Sequence, residues 1–482
     1  MSYIEVFSLL FLVAFIFNLI KRPRIGANEP PLVPYRYPII GHTYEYMFDT
    51  EDFLQKCREQ YGDPFSLYVL GSVKTFTGAE TSHEVLKNSD IFNFGEAVAR
   101  AFPFRDIISR FKDLDIEYTA RVVHEHVSNK VNTYTPRMQK ELLSGIEQYF
   151  GDCKEPKVFR NIQNTLAPLI AKPVTNVIVC EEAAQIDELL NSFTIVEREF
   201  DKIMVIPPIL SFIHYSLHTN LIALPLKFGW NPITKHRDIF VKHCKPMVEE
   251  RLRQRKELGE KYVQKDDLLD FFITDQLNKE DIVVDDKYMD ELFGQIIAIV
   301  FASISTTTKF LSFALFDYGA RPELWDEIYE EQLKIHNETN GILSLEDVHK
   351  MVKLDCFLRE SFRHSSDIDR EVLVYIKDSV FNDKFFGETA NEFQPKRHII
   401  LHANGKIVHS QATKVDRSNL TFGGGKRACP GRFFAVNEIK MCLHKLILRY
   451  KIRTESGKID PLKRLATHSF PPTTGLILEN RN

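Results

Sequence analysis

The stretch Phe422-Gly423-Gly424-Gly425-Lys426-Arg427-Ala428-Cys429-Pro430-Gly431 decides how the rest of the chain is read. Its consecutive glycines allow a tight backbone that approaches another group without interference from a Cβ. One cysteine follows, and then Pro430, a residue suited to the first turn of a helix. From Phe433 to Tyr450 apolar residues recur at Phe433, Phe434, Val436, Ile439, Leu443, Leu446 and Ile447, the spacing of an amphipathic helix. Cys429 is thus placed where a glycine loop meets a helix N-terminus, where unpaired N–H groups and the helix dipole stabilise a thiolate. With Arg427 just before it, such a thiolate suits a large anionic cofactor. The bland alternative is a buried cysteine in a turn that binds nothing. A phosphate loop is disfavoured because no Gly-Lys-Ser/Thr ending is present.

Phe422, Gly425, Arg427, Cys429 and Gly431 together complete the pattern Phe-x-x-Gly-x-Arg-x-Cys-x-Gly. This resembles the haem-ligand loop of the cytochrome P-450 family, the haem-thiolate monooxygenases, and in particular a fungal-like, membrane-anchored member. The rest of the chain is tested against that resemblance.

A length of 482 residues allows about three domains as a prior, or one large unit. Hydrophobic residues make up 44% of the chain, enough for a sizeable core, and the 37 phenylalanines are read as core packing. A formal charge of -4 and the lack of a long basic stripe argue against a nucleic-acid partner. The seven cysteines are scattered without a Cys-x-x-Cys pair, which argues against a structural zinc site and fits a reducing compartment.

Tyr3 to Ile20 is apolar apart from Glu5, Ser8 and Asn18, and Lys21, Arg22 and Arg24 follow it. A span needs about 17–25 such residues. With the charge behind rather than in front, residues 1–22 read as a membrane anchor with the bulk of the protein cytoplasmic; an interfacial helix is the alternative. Residues 23–41, with Pro23, Pro30, Pro31, Pro34 and Pro38, read as a semi-rigid hinge. Residues 42–482 remain for one domain.

Phe65–Leu70 and Val73–Thr77, joined at Gly71-Ser72, predict a β-hairpin. Helical patterns then dominate: Glu117–Val131, Pro136–Tyr149, Leu166–Cys180 (kinked at Pro168 and Pro173), Glu182–Lys202 and the charged, solvated His236–Lys261. Ile206–Tyr215 is an apolar stretch suited to a membrane or to capping a channel. Tyr288–Tyr318 predicts a long apolar helix with the hydroxyl-rich centre Ser303-Ile304-Ser305-Thr306-Thr307-Thr308. Hydroxyls inside an apolar helix are costly unless bonded, and bonding back along the helix is the simplest reading. In the family that this chain resembles, a central helix crossing the haem carries Ala/Gly-Gly-x-Asp/Glu-Thr. Ala302 and Thr306 match; Ser303 replaces the glycine and Ser305 the acid. The resemblance implies that Thr306 donates to bound oxygen, with a water chain through Ser305 in place of an ionised relay.

Glu360-Ser361-Phe362-Arg363 puts Glu and Arg on one helix face. Together with Arg397 of Phe393-Gln394-Pro395-Lys396-Arg397 it resembles the family's structural lock behind the haem loop. The segment between Arg363 and Phe393 is shorter than in the family. The piece expected after Ile368 and before Arg370-Glu371-Val372-Leu373-Val374-Tyr375-Ile376, which forms a pocket wall and supplies a basic partner for a haem propionate, is missing. This is either a natural deletion or a gene model that lacks an exon, with the second expected. Ser469–Gly475 looks like a final β-hairpin loop lining the pocket.

The resemblance implies a mainly α fold with small β-sheets, a single large P-450-type helical domain. It implies haem b with Cys429 as axial ligand, Phe422 beside the sulfur, Gly425 and Gly431 shaping the loop, and Arg427 on a propionate. It implies insertion of oxygen from O2 into a lipophilic substrate at the endoplasmic reticulum membrane. It implies electrons from an NADPH-cytochrome reductase or a cytochrome b-type donor; Lys426, Arg432 and Lys440 near the loop are either a docking face for it or ordinary surface charge. A non-oxygenating isomerase or dehydratase, or a haem-binding protein without monooxygenase activity, are the alternatives.

Overall fold

The computed structural model describes residues 23–88, 91–92, 107–108, 115–204, 209–278, 281–365, 367, 381–401, 407–465 and 468–481. The expected anchor at residues 1–22, Pro207-Pro208 and Arg370–Ile376 lie outside the described residues.

Helices α1 (Thr43–Phe48) and α2 (Thr50–Tyr61) pack on the hairpin of β1 (Phe65–Val69) and β2 (Ser72–Phe76). Val69 pairs with Ser72, so the turn is Leu70-Gly71, one residue earlier than the sequence suggests. Both turn residues have positive φ, 51° and 80°, the geometry that matches strand twist in a two-residue hairpin. Residues 31–33 are laid along β1: the Ser66 N–H donates to the Pro31 carbonyl at 2.8 Å and the Val33 N–H to the Ser66 carbonyl at 2.9 Å.

After α3 (Ser82–Lys87) and α4 (Ile116–Val122), a π-helical turn at Val123–Val127 and a 3-10 turn at Ser128–Lys130 lead into α5 (Val131–Tyr149). The sequence places a helix start at Pro136, yet Pro136 lies inside α5. Burial of Tyr134, Met138, Leu142 and Ile146 outweighs the one lost N–H. Strand β3 (Lys157–Arg160) precedes α6 (Gln163–Ile178), which continues through Pro168 and Pro173. Helices α7 (Asp187–Met204), α8 (Tyr215–Lys227), α9 (Thr234–Leu258) and α10 (Leu268–Leu277) follow. The charged α9 is not wholly solvated. It buries Phe240, Cys244, Val248 and Arg251, and the Arg251 guanidinium grips both Asp267 oxygens at 2.6 and 2.8 Å.

The central helix α11 (Asp286–Gly319) has 34 residues, starts on an N-cap where Asp285 accepts from the Tyr288 N–H, and spans about 51 Å at the usual rise. It packs against α6, α7, α9 and α10. Among the described residues it is the one helix long and apolar enough to cross a membrane, and most of its apolar window is buried inside the fold. Then come α12 (Trp325–Thr339), α13 (Leu345–His349), α14 (Val352–Ser365), α15 (Asp383–Phe386), β4 (Ile399–Leu401), β5 (Ile407–His409), α16 (Arg432–Arg449), β6 (Tyr450–Thr454), β7 (Lys463–Leu465), β8 (His468–Phe470) and β9 (Gly475–Asn480). Helices α14 and α16 also contact α11.

The sheets are small: β1-β2, β3-β9-β6, β4-β5 and β7-β8, all antiparallel. Ser469 and Phe470 belong to β8, which pairs with β7, while Gly475 begins β9 in the three-stranded sheet. The expected final hairpin loop is therefore a link between two sheets. The architecture is mainly α with small sheets, as the sequence implies.

Candidate functional site

Helix α16 begins at Arg432 with Gly431 as N-cap, so Pro430 precedes the helix rather than opening its first turn. The cysteine loop is closed by its own backbone: the Cys429 N–H donates to the Phe422 carbonyl at 2.7 Å and the Gly423 N–H to the Leu420 carbonyl at 2.8 Å. Gly425 has φ +61°, and a Cβ there would lie 2.0 Å from the Leu86 carbonyl oxygen of α3. Glycine is thus required by conformation and by space. The Ser128 hydroxyl donates to the Pro430 carbonyl, tying the loop to the 3-10 turn before α5. The Arg432 Nη1 donates to the Cys429 carbonyl at 2.9 Å. Cys429 is half-buried, and no disulfide joins it or any of the other six cysteines.

Phe422 meets Phe362 of α14 edge-on at 5.9 Å, and Phe362 meets Phe310 of α11 edge-on at 5.1 Å. This aromatic relay fixes the loop relative to the central helix. On α11, Ala302 and Thr306 are exposed, and Gln295, Ala298, Ser305, Lys309 and Phe310 are partly covered. These positions recur every three or four residues, so they form one stripe on a helix whose other faces are buried. The Thr306 Oγ1 donates to the Ala302 carbonyl at 2.7 Å, the back-bond expected of a hydroxyl inside a helix.

The lock forms as the sequence implies. The Arg363 Nε and Nη2 donate to the two Glu360 oxygens at 2.9 and 2.6 Å, and the Arg397 Nε stands 3.3 Å from Glu360. His398 and the Gln394 N–H, each at 2.8 Å, complete the shell. Burial drives the Glu360 carboxyl upward, but hydrogen bonds from Arg363, His364 and His398 outweigh it and hold the group well below the carboxylate range. His398 was not singled out in the sequence; its position right after Arg397 was the available signal.

Lys440 departs from expectation, and Arg427 already meets an acid. The Arg427 Nη2 donates to Glu117 of α4 at 2.7 Å. Lys440 is buried and pairs with Asp355 at 3.2 Å, so it offers nothing to a docking face. Asp355 also accepts from the Ala412 N–H at 3.1 Å and meets His409 at 3.0 Å; burial raises its carboxyl, but Lys440 and His409 bring it down to about 2. Arg432 is half-buried against the loop, whereas Lys426 is exposed. Sequence reading also missed Glu438, fully buried on α16 with neither oxygen hydrogen-bonded; burial pushes its carboxyl far up, which keeps it neutral. Its one-turn spacing from Phe434 and Cys442, on the apolar face, was the signal that could have found it.

The family model for cytochrome P450 matches residues 30–477. The chain belongs to the cytochrome P450 family. Cytochrome P450 monooxygenase 71 of Postia placenta is 29% identical over 259 residues, which are 49% of this chain and 50% of that protein. The chain thus spans about half the length of this relative and of the similar monooxygenase 110 of the same organism. Lanosterol 14-alpha demethylase of Candida tropicalis is 22% identical over 527 residues, covering 95% of this chain and 92% of the relative. That alignment is longer than the 482-residue chain, so the relative carries segments that this chain lacks. Eburicol 14-alpha-demethylase of Uncinula necator is 23% identical, covering 91% of this chain and 87% of the relative.

The family's cofactor is a haem iron held by a cysteine thiolate. The residues present suit that group: a half-buried thiol outside any disulfide in a glycine loop, and an uncovered stripe on an otherwise buried helix joined to the loop by aromatic contacts.

Proposed function

We propose that the protein is a haem-thiolate monooxygenase that inserts one oxygen atom from O2 into a lipophilic substrate, with Cys429 as the axial ligand. The observation that carries this is the loop closed from Phe422 to Cys429 and joined through Phe362 and Phe310 to the stripe bearing Thr306. The monooxygenase and demethylase names of the relatives support this reading over an isomerase or a haem carrier. The bound haem supplies O2 activation, which the thiolate favours by pushing electron density onto the iron.

The protein's own residues do the rest. Gly425 lets the loop lie against Leu86, Gly431 caps α16, and Phe422 shields the sulfur from water. Arg427, with only Nη2 engaged by Glu117, keeps donors for a propionate. The Thr306 hydroxyl turns from the Ala302 carbonyl to hold a proton at the reacting oxygen, and Ser305 holds a water beside it. No acid stands at position 305, so proton supply depends on that water.

Electrons come from a separate reductase or cytochrome b-type donor. With Lys440 buried, exposed Lys426 and half-buried Arg432 are the docking residues at the loop. We further propose a single-pass anchor at residues 1–22 that places the domain on the cytoplasmic face of the endoplasmic reticulum, with 23–41 as hinge and 42–482 as the catalytic domain. Support comes from exposed Tyr37, Tyr44 and Phe48 near the hinge and exposed Leu217, Leu221, Leu224, Phe228 and Trp230 on and after α8. The segment before α8 meets the hairpin turn: a Cβ on Gly71 would sit 2.1 Å from the Ser211 carbonyl oxygen.

The test is the ferrous carbon monoxide difference spectrum of the full chain. A strongly red-shifted Soret band that is lost in Cys429→Ala supports the assignment. A wild-type chain with the unshifted band, or no haem, overturns it.

A further inference from the structure

Beyond Thr306, the stripe on α11 reaches Lys309, whose Nζ donates to Asp367 Oδ1 at 2.9 Å. Asp367 lies just past the C-terminal end of α14. The same Asp367 oxygen accepts from the Ser469 N–H of β8 at 2.8 Å, and the His468 ring stands 3.9 Å from the other oxygen. Lys309 Nζ also lies 6.0 Å from the centre of the Phe470 ring, which is half exposed. β8 is held from its other side as well: the Arg464 Nη1 donates to the Ser469 hydroxyl at 3.0 Å, and the Arg464 Nε is 3.3 Å from Glu51 of α2. One carboxylate therefore joins the central helix, the end of α14 and the β7-β8 hairpin, and it cancels the one ammonium on the Thr306 stripe.

We propose that Lys309 and Asp367 form a charge-neutral latch that pins β8 beside Thr306 and makes the substrate cavity selective for uncharged ligands. Asp367 is a positioning and specificity-determining residue. It holds the hairpin, and it masks Lys309. Side-chain exposures of 21% for Lys309 and 28% for Asp367 leave the pair half-screened, so removal of one partner leaves a charge facing the cavity. The inference rests on the reading of the Thr306 stripe as the reaction cavity.

The test compares 1-decanol with decanoate, equal in chain length and different in charge, by calorimetry on the full chain in detergent. The wild type should favour decanol. Asp367→Asn should move the decanoate-to-decanol affinity ratio toward decanoate by about tenfold, because an uncompensated ammonium then faces the ligand. Lys309→Met should move it the opposite way, and the double variant should return it to within about threefold of wild type. Amide exchange at Ser469 should quicken in Asp367→Asn and stay fast in the double variant, since the acceptor remains changed. A merely structural role would weaken both ligands together; that result, or an unchanged ratio in both single variants, overturns the proposal. Calorimetry needs no haem band, so a missing thiolate spectrum refutes the haem reading, while an unchanged ratio in a chain that shows the spectrum refutes only the latch.

Discussion

Around Glu360, both carboxylate oxygens meet donors, supplied by Arg363, His398 and the Gln394 N–H, with Arg397 standing close by. Along the exposed stripe of α11, Thr306 donates only to the carbonyl of its own helix. The first region is a closed electrostatic unit that can do nothing but hold elements together. The second is polar, uncovered and internally bonded, so it can exchange its partner for a ligand at small cost. Family fold and family chemistry are thus carried by different kinds of polar group, and the difference is measurable.

Glu360→Ala should break the comparison hardest. It removes the carboxylate that neutralises the buried Arg363, which keeps only neutral carbonyl acceptors such as those of Ala390 and Glu392, so about 3–5 kcal/mol of stability should be lost. Denaturant titration of the apo chain checks this. A loss comparable to that of a surface substitution would mean the unit is no tighter than the stripe.

Gly425→Ala tests the loop between them. Its Cβ meets the Leu86 carbonyl and its φ is left-handed, so strain of about 1–3 kcal/mol is expected. Because α3 and the loop must separate, haem retention should fall more than melting temperature, as read by titrating haem into the apo chain.

The pH dependence sharpens the same contrast. His236 and His444 are buried, each bonded through Nδ1, to Ser192 at 2.8 Å and Gln332 at 2.9 Å, and Nε2 has no hydrogen-bond partner. Burial lowers them to about 4 and about 3, and neighbouring Lys235 for one and Lys445 for the other add to the shift. The unfolded chain takes up these protons near pH 6.5 and the folded chain does not. Their stabilisation is whole above that value and is lost as pH falls below it, by about 2 kcal/mol per histidine between pH 7 and pH 5. His444→Gln should flatten the stability profile over that range. The depressed carboxylates Glu360 and Asp355 act in the same direction only further down, below the ordinary carboxylate range.

These regions were unequally legible in the sequence. Phe422 to Gly431 could be read because backbone geometry demands particular residue types at fixed spacing, and Glu360 with Arg363 because they share a helix face. Arg397 was legible only through the resemblance to the cytochrome P-450 family. His398 and the pair Asp355–Lys440 were not, because burial of a charge depends on what a distant element places opposite it, and Glu438 was not, because nothing local beyond its place on the apolar face marks a carboxyl that is buried without a partner. Lys440 looks like any lysine on an amphipathic helix until Asp355 of α14 meets it. Pro136 misled for a related reason: local preference for a helix start gave way to burial along one face of α5.

Thr306→Ala should have the smallest effect on stability and still be decisive. The hydroxyl is exposed and its one bond runs within its own helix turn, so the change should stay within about 0.5 kcal/mol. Product formation should nonetheless fall by about a hundredfold if the hydroxyl holds a proton at the reacting oxygen. Thr306→Ser, which keeps the hydroxyl, should recover most of that loss, and Ser305→Ala should cost less than Thr306→Ala because it removes only a water site. Equal activity in Thr306→Ala and wild type, with equal stability, would leave the stripe a passive wall and move proton supply elsewhere in the cavity. Loss of stability on the scale of Glu360→Ala would erase the distinction between the two regions altogether.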